Sequence, residues 1–189
     1  MNSLFSLGRL GRKLRSFGKR KDGATAVELA LIAGPFFFTL FALAEVALMA
    51  VVQTNLDLAM ADTARRIRTG EVQTQGLSAA DVKNDICAGM SRIMAVNCGA
   101  DLFIDIDRFS AFQEVSNPDP SEDGTLDPGE FGFNPGAPSD IILARGFYRW
   151  KVFTPFFQDI FGTMGNGQRL MASAILFRNE PFPNPTPGP

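Results

Sequence analysis

The 24 residues Leu29–Val52 read LALIAGPFFFTLFALAEVALMAVV and carry a single charge, on Glu45. About 20 predominantly apolar residues are enough for a helix to cross a bilayer. A core helix of a soluble protein is the alternative, but this stretch is uniformly apolar and begins beside a basic cluster. We therefore expect a membrane span at about residues 29–52.

Charge is distributed unevenly on the two sides of this stretch. Residues 1–23 carry seven Lys or Arg and one acid, whereas the rest of the chain carries eleven bases and nineteen acids. Basic segments flanking a span stay in the cytoplasm. We expect residues 1–23, the basic leader, to be cytoplasmic and the chain beyond about residue 55 to be periplasmic. A nucleic-acid-binding tail is the alternative for the leader, and the adjoining span argues against it.

Composition excludes several kinds of catalytic and metal site. The chain has no histidine, which rules out His-based triads and His metal ligands. Two cysteines are too few for a structural zinc site or an iron–sulfur cluster. Nucleophile elbows and phosphate loops are also missing from the sequence. We therefore predict that the protein is not an enzyme and has no small-molecule substrate.

The helix that contains the span is predicted to continue beyond it, over residues 24–69. One apolar stripe follows Val52 at steps of three and four residues: Leu56, Met60, Ala64 and Ile67. Arg65, Arg66 and Arg68 would lie in its last turn, where cations are favoured, and Gly70 is a natural stop.

Residues 70–180 are predicted to form a small α+β domain with one helix and an antiparallel sheet. The helix begins after Ser78, a typical N-cap, with Asp81 three residues later. Its buried stripe is Val82, Ile86, Met90 and Ile93. Residues 111–139 form a long loop, and the Pro-rich residues 181–189 form an extended tail.

Three strands are predicted in this domain from a period of two. The first alternates Leu102, Ile104 and Ile106 with a wetter face of Phe103, Asp105 and Asp107. The second has an apolar face of Ile142, Ala144, Tyr148, Trp150 and Val152, and an opposite face of Arg145, Arg149 and Lys151. The third runs from about Arg169 to Arg178.

The junction between leader and span reads KRKDGATAVEL over residues 19–29. The junction resembles that of type IV pilin-like precursors in three features. Its basic leader ends in glycine, a small residue follows, and a carboxylate lies five residues after the glycine. The resemblance implies that a prepilin peptidase cuts between Gly23 and Ala24, and that Glu28 is the acid typical of the fifth mature position. Glycine also lets a backbone fit closely into a protease cleft.

The chain resembles one subgroup of these pilin-like proteins in particular. The start ATAVE, Glu45, the closing Ala172-Ser173-Ala174 and the segment Arg178–Phe182 are similar to TadE-like pseudopilins, with TadE and TadF both open. These are minor pilins of the tight-adherence (Flp) pilus. The family implies a role in pilus assembly, adherence and biofilm formation. It also implies the inner membrane, prepilin peptidase, other Tad pilins and the assembly platform as partners, and no nucleic acid.

Three further features each have two interpretations. Glu45 either pairs with a cation of another subunit or reaches the outer headgroup layer. Cys87 and Cys98 either form a disulfide, which an oxidising periplasm favours, or remain buried thiols.

The acidic stretch of residues 119–130 is the third feature. It is either a calcium loop of the EF-hand pattern or a solvated connection. Its candidate ligands are Asp119, Ser121, Asp123, Thr125, Asp127 and Glu130. Calcium is the one cofactor that the sequence suggests.

Two functions remain open on the sequence. One is the minor pseudopilin, and the other is a membrane-anchored periplasmic binding module, calcium-stabilised and unrelated to pili. Cleavage at Gly23 distinguishes them.

Overall fold

A computed structural model describes residues 23–91, 98–118, 120–122 and 124–183 of the chain. The predictions made for residues 1–22, Ile93, Asp119, Asp123 and residues 184–189 lie outside these ranges. The chain divides into two compact units, the first ending at Ala44 and the second beginning at Glu45.

Helix α1 comprises Ala24–Arg68 and continues through Pro35. Proline lacks an N–H and ordinarily weakens a helix. Here the Thr39 hydroxyl donates to the Pro35 carbonyl oxygen at 2.9 Å. Most apolar side chains of α1 up to Ala44 are exposed, including Leu31, Phe36 and Phe41. Within the described ranges, α1 is the one helix long and apolar enough to cross a membrane.

From Glu45 onward, one face of α1 is buried in the second unit. The buried apolar residues on this face are Met49, Val52, Leu56, Met60, Ala64 and Ile67. The stripe predicted from Leu56 to Ile67 is therefore confirmed. The helix ends, as the sequence suggested, with Arg65, Arg66 and Arg68 in its last turn and Gly70 in the left-handed conformation at φ 80°.

The remaining α-helices and the strands follow α1 along the chain. They are α2 (Glu71–Gln75), α3 (Ala79–Ser91), α4 (Cys98–Asp101), β1 (Leu102–Phe109), β2 (Ser121–Glu122), β3 (Thr125–Leu126), β4 (Ile141–Lys151), α5 (Gln158–Phe161) and β5 (Gln168–Arg178). Strands β1, β4 and β5 form an antiparallel sheet in the order β1-β4-β5, and β2 pairs with β3 in a separate ribbon. The α+β class with an antiparallel sheet is confirmed. Helix α3 is the predicted domain helix, and among the described residues short α-helices and 3-10 turns accompany it.

The predicted start of α3 is also confirmed. The Ser78 hydroxyl accepts from the Asp81 N–H at 3.3 Å, and the Asp81 carboxylate accepts from the Ser78 N–H at 2.9 Å. These reciprocal bonds are a capping box, which satisfies amide donors that the first helical turn leaves unpaired. The hydrogen bond from the Ser78 hydroxyl is the main reason why the pKa of Asp81 is lowered.

The buried half of α1 lies along the apolar face of the sheet. At mid-helix the approach is close, because a Cβ added at Gly146 of β4 would lie 2.6 Å from the Met60 sulfur. At one end the Glu45 carboxylate meets Trp150, and at the other the Arg68 carbonyl accepts from the Glu180 N–H at 2.9 Å. Helix residues 45–68 and strand β4 are each about 36 Å long, so the two elements match over their full length.

The opposite face of the sheet is not the wet face that the sequence predicted. Asp105 of β1 is 1% exposed and Arg145 of β4 is 7% exposed. The Arg145 guanidinium donates to the Asp105 carboxylate through Nε at 2.9 Å and also through Nη2. The placement of Asp105 on a wetter face was therefore wrong, and Arg145 is buried on the face opposite the apolar one. Alternation along a strand identifies the two faces but does not reveal what a distant loop covers.

The covering element is the stretch predicted as the long loop, residues 111–139. The Gly132 carbonyl oxygen accepts from the Ile106 N–H at 3.0 Å, and the Asn134 N–H donates to the Ile106 carbonyl at 2.7 Å. The Phe131 ring stacks on the Phe147 ring at a centroid distance of 5.3 Å. Leu126 of the ribbon is buried in the same cluster. The loop therefore covers the Asp105–Arg145 pair.

Candidate functional site

The predicted processing junction lies at the start of α1. Gly23 directly precedes the helix, Ala24 is its first residue, and Glu28 is exposed one turn further on. A Cβ added at Gly23 would meet nothing within 4 Å among the described residues. Its backbone also lies outside the left-handed region that favours glycine. The described fold therefore gives no steric or conformational reason for a glycine at this position.

Glu45 is the most enclosed acid of the helix, with 3% of its surface exposed. One carboxylate oxygen, Oε1, accepts from the Trp150 indole N–H at 3.4 Å and from the Phe153 backbone N–H at 3.2 Å. The other, Oε2, accepts from the Thr154 hydroxyl at 3.3 Å. All three donors are neutral and belong to the same chain. Neither interpretation of Glu45 drawn from the sequence included them.

The three donors lie at the end of β4 and in the turn that follows it. Trp150 is the last buried side chain of the strand, and the chain then turns through Phe153 and Thr154 into a single helical turn at Pro155–Phe157. The Phe153 ring meets the Trp150 indole edge-on at a centroid distance of 5.1 Å. The carboxylate thus joins the helix to the exit of β4. No spacing rule links residues more than 100 positions apart, so the sequence held no signal for this site.

The two cysteines lie in neighbouring helices. Cys87 is half-buried on α3, and Cys98 is buried at the first position of α4. Burial, together with the negative charge of Asp101 and the nearby thiols of Cys98 and Cys87, raises the pKa of Tyr148 to about 12. Both thiols therefore lie in the electrostatic environment of one phenol. The disulfide itself stays a prediction.

An acidic cavity of about 440 Å³ opens beside the buried ion pair, lined by Asp107, Asp127, Glu130 and Arg145 among others. Burial, and secondarily the negative charge of Asp105, raises the pKa of Asp107, while Arg145 opposes the shift. Among the residues that the structure describes, no three potential metal ligands of the His, Cys, Asp and Glu types are grouped as a metal site.

The structure describes only some of the candidate calcium ligands. Asp119 and Asp123 lie outside the described residues. Ser121 and Thr125 belong to the β2–β3 ribbon, in which Ser121 pairs with Leu126. The Asp127 side chain accepts from the Gly129 N–H at 2.9 Å and so caps a turn. Glu130 is exposed at the cavity. Calcium binding stays a prediction.

Residues 23–65 match the family model described as TadE-like protein. This segment is similar to TadE-like proteins. This match confirms the resemblance drawn from the ATAVE start and Glu45, both of which lie within it. No curated protein and no solved structure matches the chain significantly.

The TadE-like segment begins at Gly23 and ends at Arg65, within the last turn of α1. It therefore includes Glu28 and Glu45 and stops short of the sheet. The family suggests a role in Tad pilus systems, and the single apolar helix fits a single-pass membrane protein of such a system.

Proposed function

We propose that the protein is a minor pseudopilin that acts in the assembly of a Tad/Flp-type surface pilus for adherence and biofilm formation. The TadE-like match carries this proposal, because it begins at the glycine of the predicted junction and follows the helix to Arg65. The exposed large apolar side chains before Glu45 give the helix a surface that lipid or other pilin helices can cover.

Processing by a prepilin peptidase between Gly23 and Ala24 is part of the proposal. Cleavage removes the basic leader and leaves α1 whole, since the helix begins at Ala24. The new ammonium of Ala24 lies one helical turn from Glu28, on the same face. An ammonium in that position compensates a carboxylate that is costly at the edge of an apolar span.

In this arrangement the leader is cytoplasmic, α1 crosses the inner membrane and the α+β domain is periplasmic. The sequence's charge asymmetry supports this orientation, because the acidic part follows the span. The proposed partners are the prepilin peptidase, other Tad pilins or pseudopilins and the assembly platform.

N-terminal sequencing of the membrane-extracted protein tests the proposal, in cells with and without an active prepilin peptidase. We expect a mature chain that starts at Ala24 only when the peptidase is active. A Gly23→Leu variant should stay uncut and fail to restore adherence. Gly34→Leu is the matched control, since a Cβ there also meets nothing within 4 Å. A chain that still starts at Met1 beside an active peptidase contradicts the proposal.

The second candidate function is a membrane-anchored periplasmic binding module that calcium stabilises. The acidic cavity beside residues 127–130 is the observation that favours it. Calcium should then raise the melting temperature of the parent protein and leave that of an Asp123→Ala, Glu130→Ala variant unchanged. If calcium does not raise the melting temperature of the parent, this candidate fails.

The disulfide between Cys87 and Cys98 belongs to both candidates, because both place the domain in the periplasm. Closing so short a loop would stabilise the domain by roughly 2–3 kcal/mol. Alkylation of the denatured protein should label no cysteine before reduction and two after it. Labelling of both cysteines before reduction would contradict the pairing.

A further inference from the structure

An exposed apolar patch follows the exit of β4. Its members are Phe153, Phe156 and Ile160, which are 63%, 80% and 63% exposed. Their neighbour Phe157 is buried, so the turn is folded onto the domain and still presents these side chains outward. Clustered exposed aromatics of this kind mark an interaction surface rather than a stable solvent-facing surface.

The position of this patch is fixed by Glu45. The Phe153 N–H and the Thr154 hydroxyl both bond to the Glu45 carboxylate, at 3.2 and 3.3 Å. The patch therefore begins beside Glu45.

Glu45 also marks the end of the helix's fully exposed apolar stretch. The helix from Ala24 to Ala44 is about 31 Å long at 1.5 Å per residue, close to the thickness of the hydrocarbon core, about 30 Å. From Glu45 onward, one face of the helix is buried in protein. A helix that spans with residues 24–44 leaves the bilayer at Glu45, where a carboxylate is tolerated.

We infer that Phe153, Phe156 and Ile160 insert into the interfacial layer of the membrane. The occupant is a lipid surface because Glu45, which accepts from the Phe153 N–H, directly follows the apolar stretch in the chain. Residues 152–158 carry no charge; Lys151 precedes the patch, Asp159 lies between Phe156 and Ile160, and these two charges are opposite in sign. This composition suits a zwitterionic surface and gives anionic lipid no advantage.

The inference requires the membrane anchor and not the pilus, so it goes beyond the proposed function. A failure to detect cleavage at Gly23 would leave it standing. Conversely, a patch that does not touch lipid would leave the pseudopilin proposal standing.

Tryptophan quenching tests the inference on the full chain in phosphatidylcholine vesicles. The variant Phe156→Trp adds one fluorophore at the patch to the native Trp150, the single tryptophan of the chain. The matched control is Phe112→Trp, at a phenylalanine that is 54% exposed. Phe112 follows β1, whose last residue pairs with the first residue of β4, so it lies at the other end of the sheet.

After subtraction of the parent signal, lipid brominated on the upper acyl chain should remove most of the emission added at residue 156. It should remove none of the emission added at residue 112. Both variants replace exposed side chains, and an unchanged melting temperature will verify the fold. Equal quenching at the two positions overturns the inference. Blue-shifted emission at residue 156 without quenching also overturns it, because protein rather than lipid would then cover the patch.

Discussion

The Glu45 carboxylate accepts a hydrogen bond from the backbone N–H of Phe153 at 3.2 Å. This bond joins the helix to the turn that follows β4. Because the same carboxylate also holds the Trp150 indole and the Thr154 hydroxyl, one side chain satisfies three donors at the end of the sheet. Glu45 is thus a structural joint, whatever it does in a pilus.

Removing this joint should destabilise the domain. Glu45→Leu leaves three donors without their acceptor, and an unpaired buried donor costs about 1–3 kcal/mol. We expect a loss of roughly 3 kcal/mol in unfolding free energy and a lower melting temperature. Thermal unfolding in detergent, followed by Trp150 emission, measures both the loss and the exposure of the indole.

Two variants calibrate this experiment. Glu45→Gln keeps one acceptor oxygen and should lose less stability than Glu45→Leu. Asp57→Leu changes an exposed acid of the same helix and should shift stability by about 0.5 kcal/mol or less. If Glu45→Leu behaves like Asp57→Leu, the carboxylate does not join the two elements.

The Asp105–Arg145 pair should be the most sensitive charged pair among those described. Each partner is nearly fully buried, so Arg145→Met leaves the Asp105 charge unpaired at a cost of about 3–5 kcal/mol. Asp105→Asn leaves Arg145 with the more distant Asp107, at 3.9 Å, and should also destabilise the domain. The double variant Asp105→Leu, Arg145→Met removes both charges and should lose less stability than either single variant. Chemical denaturation of the four proteins gives this comparison.

The exposed pair Asp62–Arg65 provides the control for that comparison. Both side chains are more than half exposed, and such pairs contribute about 0–1 kcal/mol. If Asp105→Asn costs no more than Asp62→Asn, water reaches the pair and the loop does not seal the face.

The sequence predicted the elements better than their contacts. Periodicity located α1, α3 and the three long strands, since the stripe at Leu56 and Met60 and the cap at Ser78 depend on near neighbours in the chain. Asp105 was misplaced because its burial depends on Gly132, whose N–H donates to the Asp105 carboxylate at 2.8 Å across 27 residues. The donors to Glu45 were missed for the same reason.

Gly70 should tolerate no side chain, because the Phe182 ring of the C-terminal tail packs against it. A Cβ there would collide with the Phe182 ring, and the Gly70 backbone has φ 80°. Gly76→Ala is a matched control, since Gly76 has φ 63° and open space around it. Both variants carry left-handed strain of about 1–2 kcal/mol, and Gly70→Ala should lose about 1–3 kcal/mol more through overpacking.

A double variant isolates the contribution of the tail. The double variant Gly70→Ala, Phe182→Ala should lose about as much stability as the double variant Gly76→Ala, Phe182→Ala, because the ring that the new Cβ would meet is gone. Unfolding free energies from denaturant titration give the coupling. Equal losses for Gly70→Ala and Gly76→Ala in the parent background would show that Phe182 does not rest on Gly70.

Tyr148 should make stability depend on pH in the alkaline range. Its pKa is raised to about 12 in the folded protein, mainly by burial, whereas an unfolded tyrosine ionises near pH 10. Between about pH 10 and pH 12 the unfolded chain therefore binds fewer protons than the folded chain, and the free energy of unfolding falls as pH rises. Below about pH 10 the phenol is neutral in both states and this dependence vanishes.

Since Tyr148 is the single tyrosine of the chain, tyrosinate absorbance reports this group alone. We expect a midpoint of about 12 in the folded protein and a shift towards 10 in denaturant. Tyr148→Phe should remove the tyrosine's share of the alkaline loss, and a folded midpoint near 10 would contradict the burial of the hydroxyl.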